Sequence, residues 1–266
     1  MKISASWALG LALIAQPATQ AVASAQPVAV HASQIPTPRI DYWQKRADEI
    51  DRQLKDSASL APVKIVFVGD SITDFWHLDA NPWFPGKFCG RSVWDESFGS
   101  GTPARNALNL GVSGDRIEHV LHRLMPAAQG GEGWLDRQDL RPDFVFVMLG
   151  INNSFDAEAN PVEAISQGVE AVIDHIRQSK PGARIVIQSL LPTDDPIKNR
   201  DLVQPVNAVL RAYTLRTGSA HYLDLYPAFV DANGRQRRDL FNDGLHPSRD
   251  GYRVWRDQLV TYLDVR

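Results

Sequence analysis

The chain has 266 residues, 44% hydrophobic and 22% charged, an ordinary globular composition with enough apolar material for one sizeable core. Its net charge of −3, its pI near 6.2 and the lack of a long basic run give no electrostatic reason for a nucleic-acid partner. Cys89 is the single cysteine, which excludes an intrachain disulfide and leaves the core to hold the fold alone.

The first stretch reads as a targeting segment. Lys2 supplies a positive start, Trp7 to Ala15 is apolar, and Ala23-Ser24-Ala25 fits a small-residue cleavage pattern. The alternative, a membrane anchor, needs about 20 apolar residues, and this run is shorter. Residues 1–25 are therefore expected to be a signal peptide that exports the protein to the periplasm or the medium, with no stable membrane insertion. Residues 26–39, rich in Ala, Pro, Ser and Gln, read as a flexible lead-in.

Residues 40–266 carry the folded pattern. A surface helix is expected from Asp41 to Leu54. Strands are expected at Val63–Val68, Ala107–Leu110, Phe144–Leu149, Arg184–Leu191 and His221–Tyr226, all short apolar runs that suit a sheet buried on both faces. Between them lie amphipathic helices. Ile117, Val120, Leu121, Leu124 and Met125 make one apolar stripe. A second helix starts at Asn160 with Pro161 in its first turn and Glu163 completing a capping box. A third covers Arg200 to Thr217, and the last begins near Ser248. This alternation predicts one doubly wound α/β domain with a parallel sheet of about five strands. One connection, Asp79 to Arg105, is long and carries Trp83, Phe84, Phe88, Trp94 and Phe98. Long connections in compact domains are usually functional or disordered, and the aromatic content argues against disorder.

Ligands of open parallel sheets bind at the carboxyl ends of the strands. The polar clusters that follow the strands are Gly69-Asp70-Ser71-Ile72, Gly111-Val112-Ser113-Gly114-Asp115 and Gly150-Ile151-Asn152-Asn153. Asp243-Gly244-Leu245-His246-Pro247 precedes the last helix. Together they supply what acyl transfer needs. Ser71 sits at a strand-to-helix turn, His246 can take its proton, and Asp243 can orient the imidazole. The Ser71 N–H, the Gly114 N–H and the Asn152 amide can make an oxyanion hole.

These four stretches, GDSIT, NLGVSGD, LGINN and DGLHPSRDGY, resemble the four sequence blocks of the SGNH, or GDSL, hydrolases. The run NLGVSGDRIEHVLHRL resembles most the branch with the platelet-activating factor acetylhydrolase catalytic subunits and related bacterial acetylesterases. The likeness runs from about Val63 to the C-terminus. It implies a three-layer α/β/α, flavodoxin-like fold, with Ser71 as nucleophile, Asp243 and His246 completing a triad, and Gly114 and Asn152 as oxyanion donors. Asn153 stands where the family commonly has Asp.

The other polar groups read as structural. His77, His119, His122, His175 and His221 do not sit at metal-ligand spacing, so no metal or cofactor is expected. Asp194-Asp195 and the Arg235, Arg237, Arg238 cluster read as solvated loops, and Cys89 as a small buried residue. The substrate expected is a small or polysaccharide-borne acetyl ester, with Trp83 and Trp94 as candidate sugar-stacking rings. A short-chain lipid ester is the alternative within the same chemistry. A catalytically silent carbohydrate-binding module is the alternative of another class, and such a module needs none of Ser71, Asn152, Asp243 and His246.

Overall fold

The β-branched run Ile65–Gly69 forms strand β1, buried at every position. The computed structural model describes residues 30–39, 44–155 and 159–265, so the expected signal peptide, residues 1–25, lies outside the described residues. The other strands are β2 (Ala107–Asn109), β3 (Phe144–Met148), β4 (Arg184–Gln188) and β5 (His221–Leu223). All pair in parallel in the order β2-β1-β3-β4-β5. Each expected strand is present, and the last two stop early because side chains take their backbone groups. Asn207 caps both the N–H and the C=O of Leu190, and the Ser189 hydroxyl accepts the N–H groups of Leu225 and Tyr226.

The helices are α1 (Gln44–Lys55), α2 (Ser57–Leu60), α3 (Ser71–Asp74), α4 (Arg91–Ser97), α5 (Ile117–Leu124), α6 (Pro161–Ser179), α7 (Pro196–Lys198), α8 (Gln204–Thr217) and α9 (Arg249–Asp264). Helices α5, α6 and α8 pack together on one face of the sheet and α4 and α9 on the other, a three-layer arrangement. The expected helix from Arg200 is wound as a π-turn over Asn199–Val203 before α8 begins, next to Pro205, which has no N–H to give. The chain leaves β1 toward β2 and later returns to β3 on its other side. That makes the β1/β3 edge the topological switch point where such sheets bind ligands.

Two expectations are corrected. The lead-in is not free where it is described: Ser33 is buried and its hydroxyl donates to the Ala164 carbonyl of α6, while Thr37 N–H donates to the Glu118 carbonyl of α5. The long connection from Asp79 to Arg105 is built rather than looped. Ala80 bridges to Phe88, α4 follows, and Pro103–Arg105 makes a 3-10 turn. Its Trp94 is partly buried and packs against the core: the ring lies on Phe67 of β1 at 5.5 Å, on Phe98 at 5.6 Å and on Trp76 at 5.9 Å. These contacts take up ring surface of Trp94 that a sugar would need, whereas Trp83 keeps an exposed ring.

Candidate active site

Ser71 opens α3 directly after β1. Asp70 caps that helix, its Oδ1 accepting the Ile72 N–H at 3.0 Å. From the far side Tyr252 of α9 donates its hydroxyl proton to the Ile72 carbonyl at 2.7 Å, so the residue after Ser71 is held through both its N–H and its C=O. The last polar cluster forms a tight turn before α9. Asp243 Oδ1 accepts the N–H groups of Leu245 and His246 at 2.7 and 2.6 Å. This turn presents the imidazole to the serine: His246 Nε2 lies 2.9 Å from Ser71 Oγ, and His246 Nδ1 lies 2.9 Å from Asp243 Oδ2. Phe75 stacks on the imidazole at 4.7 Å, and Trp83 stacks on Phe75 at 5.3 Å.

The electrostatics fit an ion-pair acceptor at Asp243. Burial acts against its charge, but the His246 ring and the N–H groups of His246 and Leu245 outweigh that and hold the carboxyl below the usual carboxylate range. A carboxylate so placed fixes Nδ1 as the protonated nitrogen and leaves Nε2 to accept from the serine.

The glycine cluster folds against α3. A Cβ on Gly111 would sit 2.5 Å from the Asp74 backbone nitrogen, so only glycine allows this approach. Gly114 is in the left-handed region at φ +75, open to glycine and strained for other residues. Asp74 holds the loop from below, accepting from Ser113 N–H at 3.0 Å and from Ser113 Oγ at 2.5 Å. Asn152, in a 3-10 turn after β3, donates one amide hydrogen to the Asp115 carbonyl at 2.8 Å, and its second amide hydrogen is the one a substrate oxygen could take. Ser71, Gly114, Asn152, Asp243 and His246 thus come from four separate stretches to one edge of the sheet. Beside them is a groove of about 460 Å³ lined by Ile151, Phe155, Thr193, Lys198, Leu245 and His246. A cavity of about 520 Å³ lined by Arg141, Pro142 and Lys180 lies at the opposite edge and holds none of these side chains.

Trp83 lies at this edge, still 45% exposed, while Trp94 does not. Several of the other polar groups have structural partners. His77 pairs with Asp74, His119 accepts the Arg116 N–H, His175 bonds the Leu124 carbonyl, and Asp195 caps α7. Among the described residues no group of three His, Cys, Asp or Glu side chains could hold a metal ion. Several residues that build the site escaped the sequence reading: Phe75, Asp74 with Arg46, and Asp115. Phe75, four positions after Ser71, was findable from helical spacing; the ion pairs were not.

Comparison with known proteins shows the family and the fold. A profile of the GDSL-like Lipase/Acylhydrolase family matches residues 67–254. The chain is 33% identical over 202 residues to platelet-activating factor acetylhydrolase IB subunit alpha1 of Homo sapiens, covering 76% of this chain and 75% of that one. Among solved structures, a GDSL-like lipase from Bacteroides thetaiotaomicron superposes with a TM-score of 0.58 at 17% identity, covering 84% of this chain and 97% of that one. A variant of an acetyl-xylooligosaccharide esterase from a Geobacillus species gives 0.51 at 20% identity, with 75% and 93% covered. At these identities the two structures are similar in fold.

Proposed function

The chain belongs to the GDSL-like lipase/acylhydrolase family and is a carboxylic ester hydrolase, and on that premise we propose that it removes acetyl groups through a Ser71–His246–Asp243 triad. The observation that carries this is the unbroken hydrogen-bonded line from Asp243 through both nitrogens of His246 to Ser71.

In this reading His246 Nε2 takes the Ser71 proton as Oγ adds to the ester carbonyl. The new oxyanion is met by the Ser71 and Gly114 N–H groups and the Asn152 amide. The imidazolium, steadied by Asp243, returns its proton to the leaving alcohol, and an acyl-serine remains. Water, deprotonated by the same imidazole, releases the acid. The acetyl preference draws support from the named activity of the curated relative. The alcohol part we assign to a sugar, because Trp83 offers an exposed ring stacked, through Phe75, on the catalytic imidazole. A lipid alcohol is the second reading, favoured by the 33% identity to platelet-activating factor acetylhydrolase. Export rests on the pattern of residues 1–25 and is tested by fractionating the native host and sequencing the mature N-terminus.

Ser71→Ala should abolish hydrolysis of a chromogenic acetate ester with the fold intact; activity near that of the wild type would remove Ser71 from this role. Asn152→Ala should lower kcat by on the order of 10²–10³ with KM little changed. The alcohol is decided by kcat/KM for an acetylated oligosaccharide against a phospholipid acetate, in wild type and Trp83→Ala. Preference for the lipid, or no effect of the substitution on sugar turnover, overturns the sugar assignment.

A further inference from the structure

Residues 30–39 precede the first strand and lie outside the stretch matched by the family profile, yet they reach the catalytic edge. Arg39 Nη1 donates to the Ser113 carbonyl at 2.7 Å and to Asp115 Oδ1 at 3.0 Å. Its guanidinium occupies the space beside Gly114 where a side chain would begin, with Nη2 2.8 Å from the position of a Cβ. Asp115 is fully buried, and its carboxylate is held from the other side by Arg123, with Nε 2.6 Å from Oδ2. The backbone carbonyl of the same Asp115 takes the Asn152 amide. Both side-borne oxyanion donors, Gly114 N–H and Asn152 Nδ2, are therefore referenced to one short segment, Ser113 to Asp115, and Arg39 grips that segment on both sides of Gly114.

We infer that Arg39 is a positioning residue for the oxyanion site, holding Gly114 and, through Asp115, Asn152 in their catalytic orientation. The inference rests on the proposed roles of Gly114 and Asn152. Glycine at φ +75 has many other conformations open to it, so the loop needs an external constraint to keep one. Arg39 supplies it without being the sole partner of a buried charge. When Arg39 is removed, Asp115 keeps its ion pair with Arg123, so the fold survives and the loss appears in catalysis.

The test is steady-state kinetics and thermal melting of the full chain carrying Arg39→Met, which fills much of the space but donates nothing, and Arg39→Lys. Since one arginine nitrogen makes both bonds, a lysine ammonium can restore them. The expected result for Arg39→Met is a kcat lower by on the order of 10- to 10²-fold, the scale of a misplaced catalytic group, with KM little changed and a folded protein. Arg39→Lys should recover a clear part of that loss. Combined with Asn152→Ala, Arg39→Met should cost less than it does alone, because both act on the same oxyanion. The inference is overturned if Arg39→Met keeps wild-type kcat, if its loss falls on KM or follows the unfolded fraction, if lysine does no better than methionine, or if the two losses multiply independently. If Asn152→Ala alone leaves kcat intact, the oxyanion reading itself has failed, and that outcome is read separately.

Discussion

Two carboxyls flank the catalytic edge and are driven in opposite directions. Asp243 is held below the usual range by the imidazole and two N–H groups despite its burial. Asp70 is buried, and among the described residues its Oδ2 has no hydrogen-bond partner. Burial pushes it up to about 7, against the opposing pull of the Ile72 N–H and His246. The sign of its linkage follows. An unfolded chain gives up this proton near its ordinary value of 3.8, the folded one only near 7. Between those values folding holds a proton the unfolded chain has lost, so Asp70 erodes stability as pH rises through the window and remains a burden above it. Asp70→Asn keeps the cap oxygen and removes the titration. Its melting temperature, measured against wild type, should therefore improve from about pH 4 to about pH 8. A difference that stays flat over that span would show that Asp70 ionises like an exposed carboxyl.

At the scale of elements, the same 3-10 turn that offers Asn152 also fastens α5. Asn153 Oδ1 accepts the Ile117 N–H at 3.0 Å, and its Nδ2 donates to Glu118 Oε2 at 2.8 Å, all in buried surroundings. In this chain Asn153→Asp would set two carboxylates against each other. It should cost about 1–3 kcal/mol in urea unfolding, and Glu118→Gln should recover most of it by restoring a donor. An undiminished Asn153→Asp variant would show that Glu118 has another way to be satisfied. Element positions were readable because continuous apolar runs and helical stripes are local patterns. Where elements stop was not, since the ends of β4 and β5 are set by Asn207 and Ser189, side chains distant in sequence. The aromatic connection shows the same limit. Its composition announced order, but only the packing separates Trp94, spent on Phe67, Trp76 and Phe98, from Trp83, left facing outward.

Across the whole molecule, the segment before the first strand acts as a brace for the catalytic edge. Arg46 of α1 reaches Asp74 Oδ1 at 2.8 Å and the Asn109 carbonyl at 3.0 Å, so α1, α3 and the glycine loop share one buried charge cluster. Arg46→Ala should destabilise the protein by about 3 kcal/mol, the lower end for removing one partner of a buried pair, because His77 and Ser113 still serve Asp74. A change under about 1 kcal/mol in chemical denaturation would place that pair among the weak surface ones. The four site blocks were legible because each is contiguous, three of them following a strand and the fourth preceding the last helix. The brace was not, because a low-complexity run says nothing of where Ser33 and Arg39 land. Cys89, finally, lies within the aromatic connection where it meets the Asp243 turn, wholly buried, with Asn242 Nδ2 3.8 Å from its sulfur. Burial, with Asp243 and Asp79 acting the same way, pushes its thiol up to about 12, so the folded protein offers a disulfide reagent almost no thiolate. A chain with one sulfhydryl at that seam carries its own stopwatch: the rate at which a chromogenic disulfide labels it counts how often the wall beside the His246 imidazole parts from the rest. Labelling as fast as that of a free thiol would mean that the seam stands open.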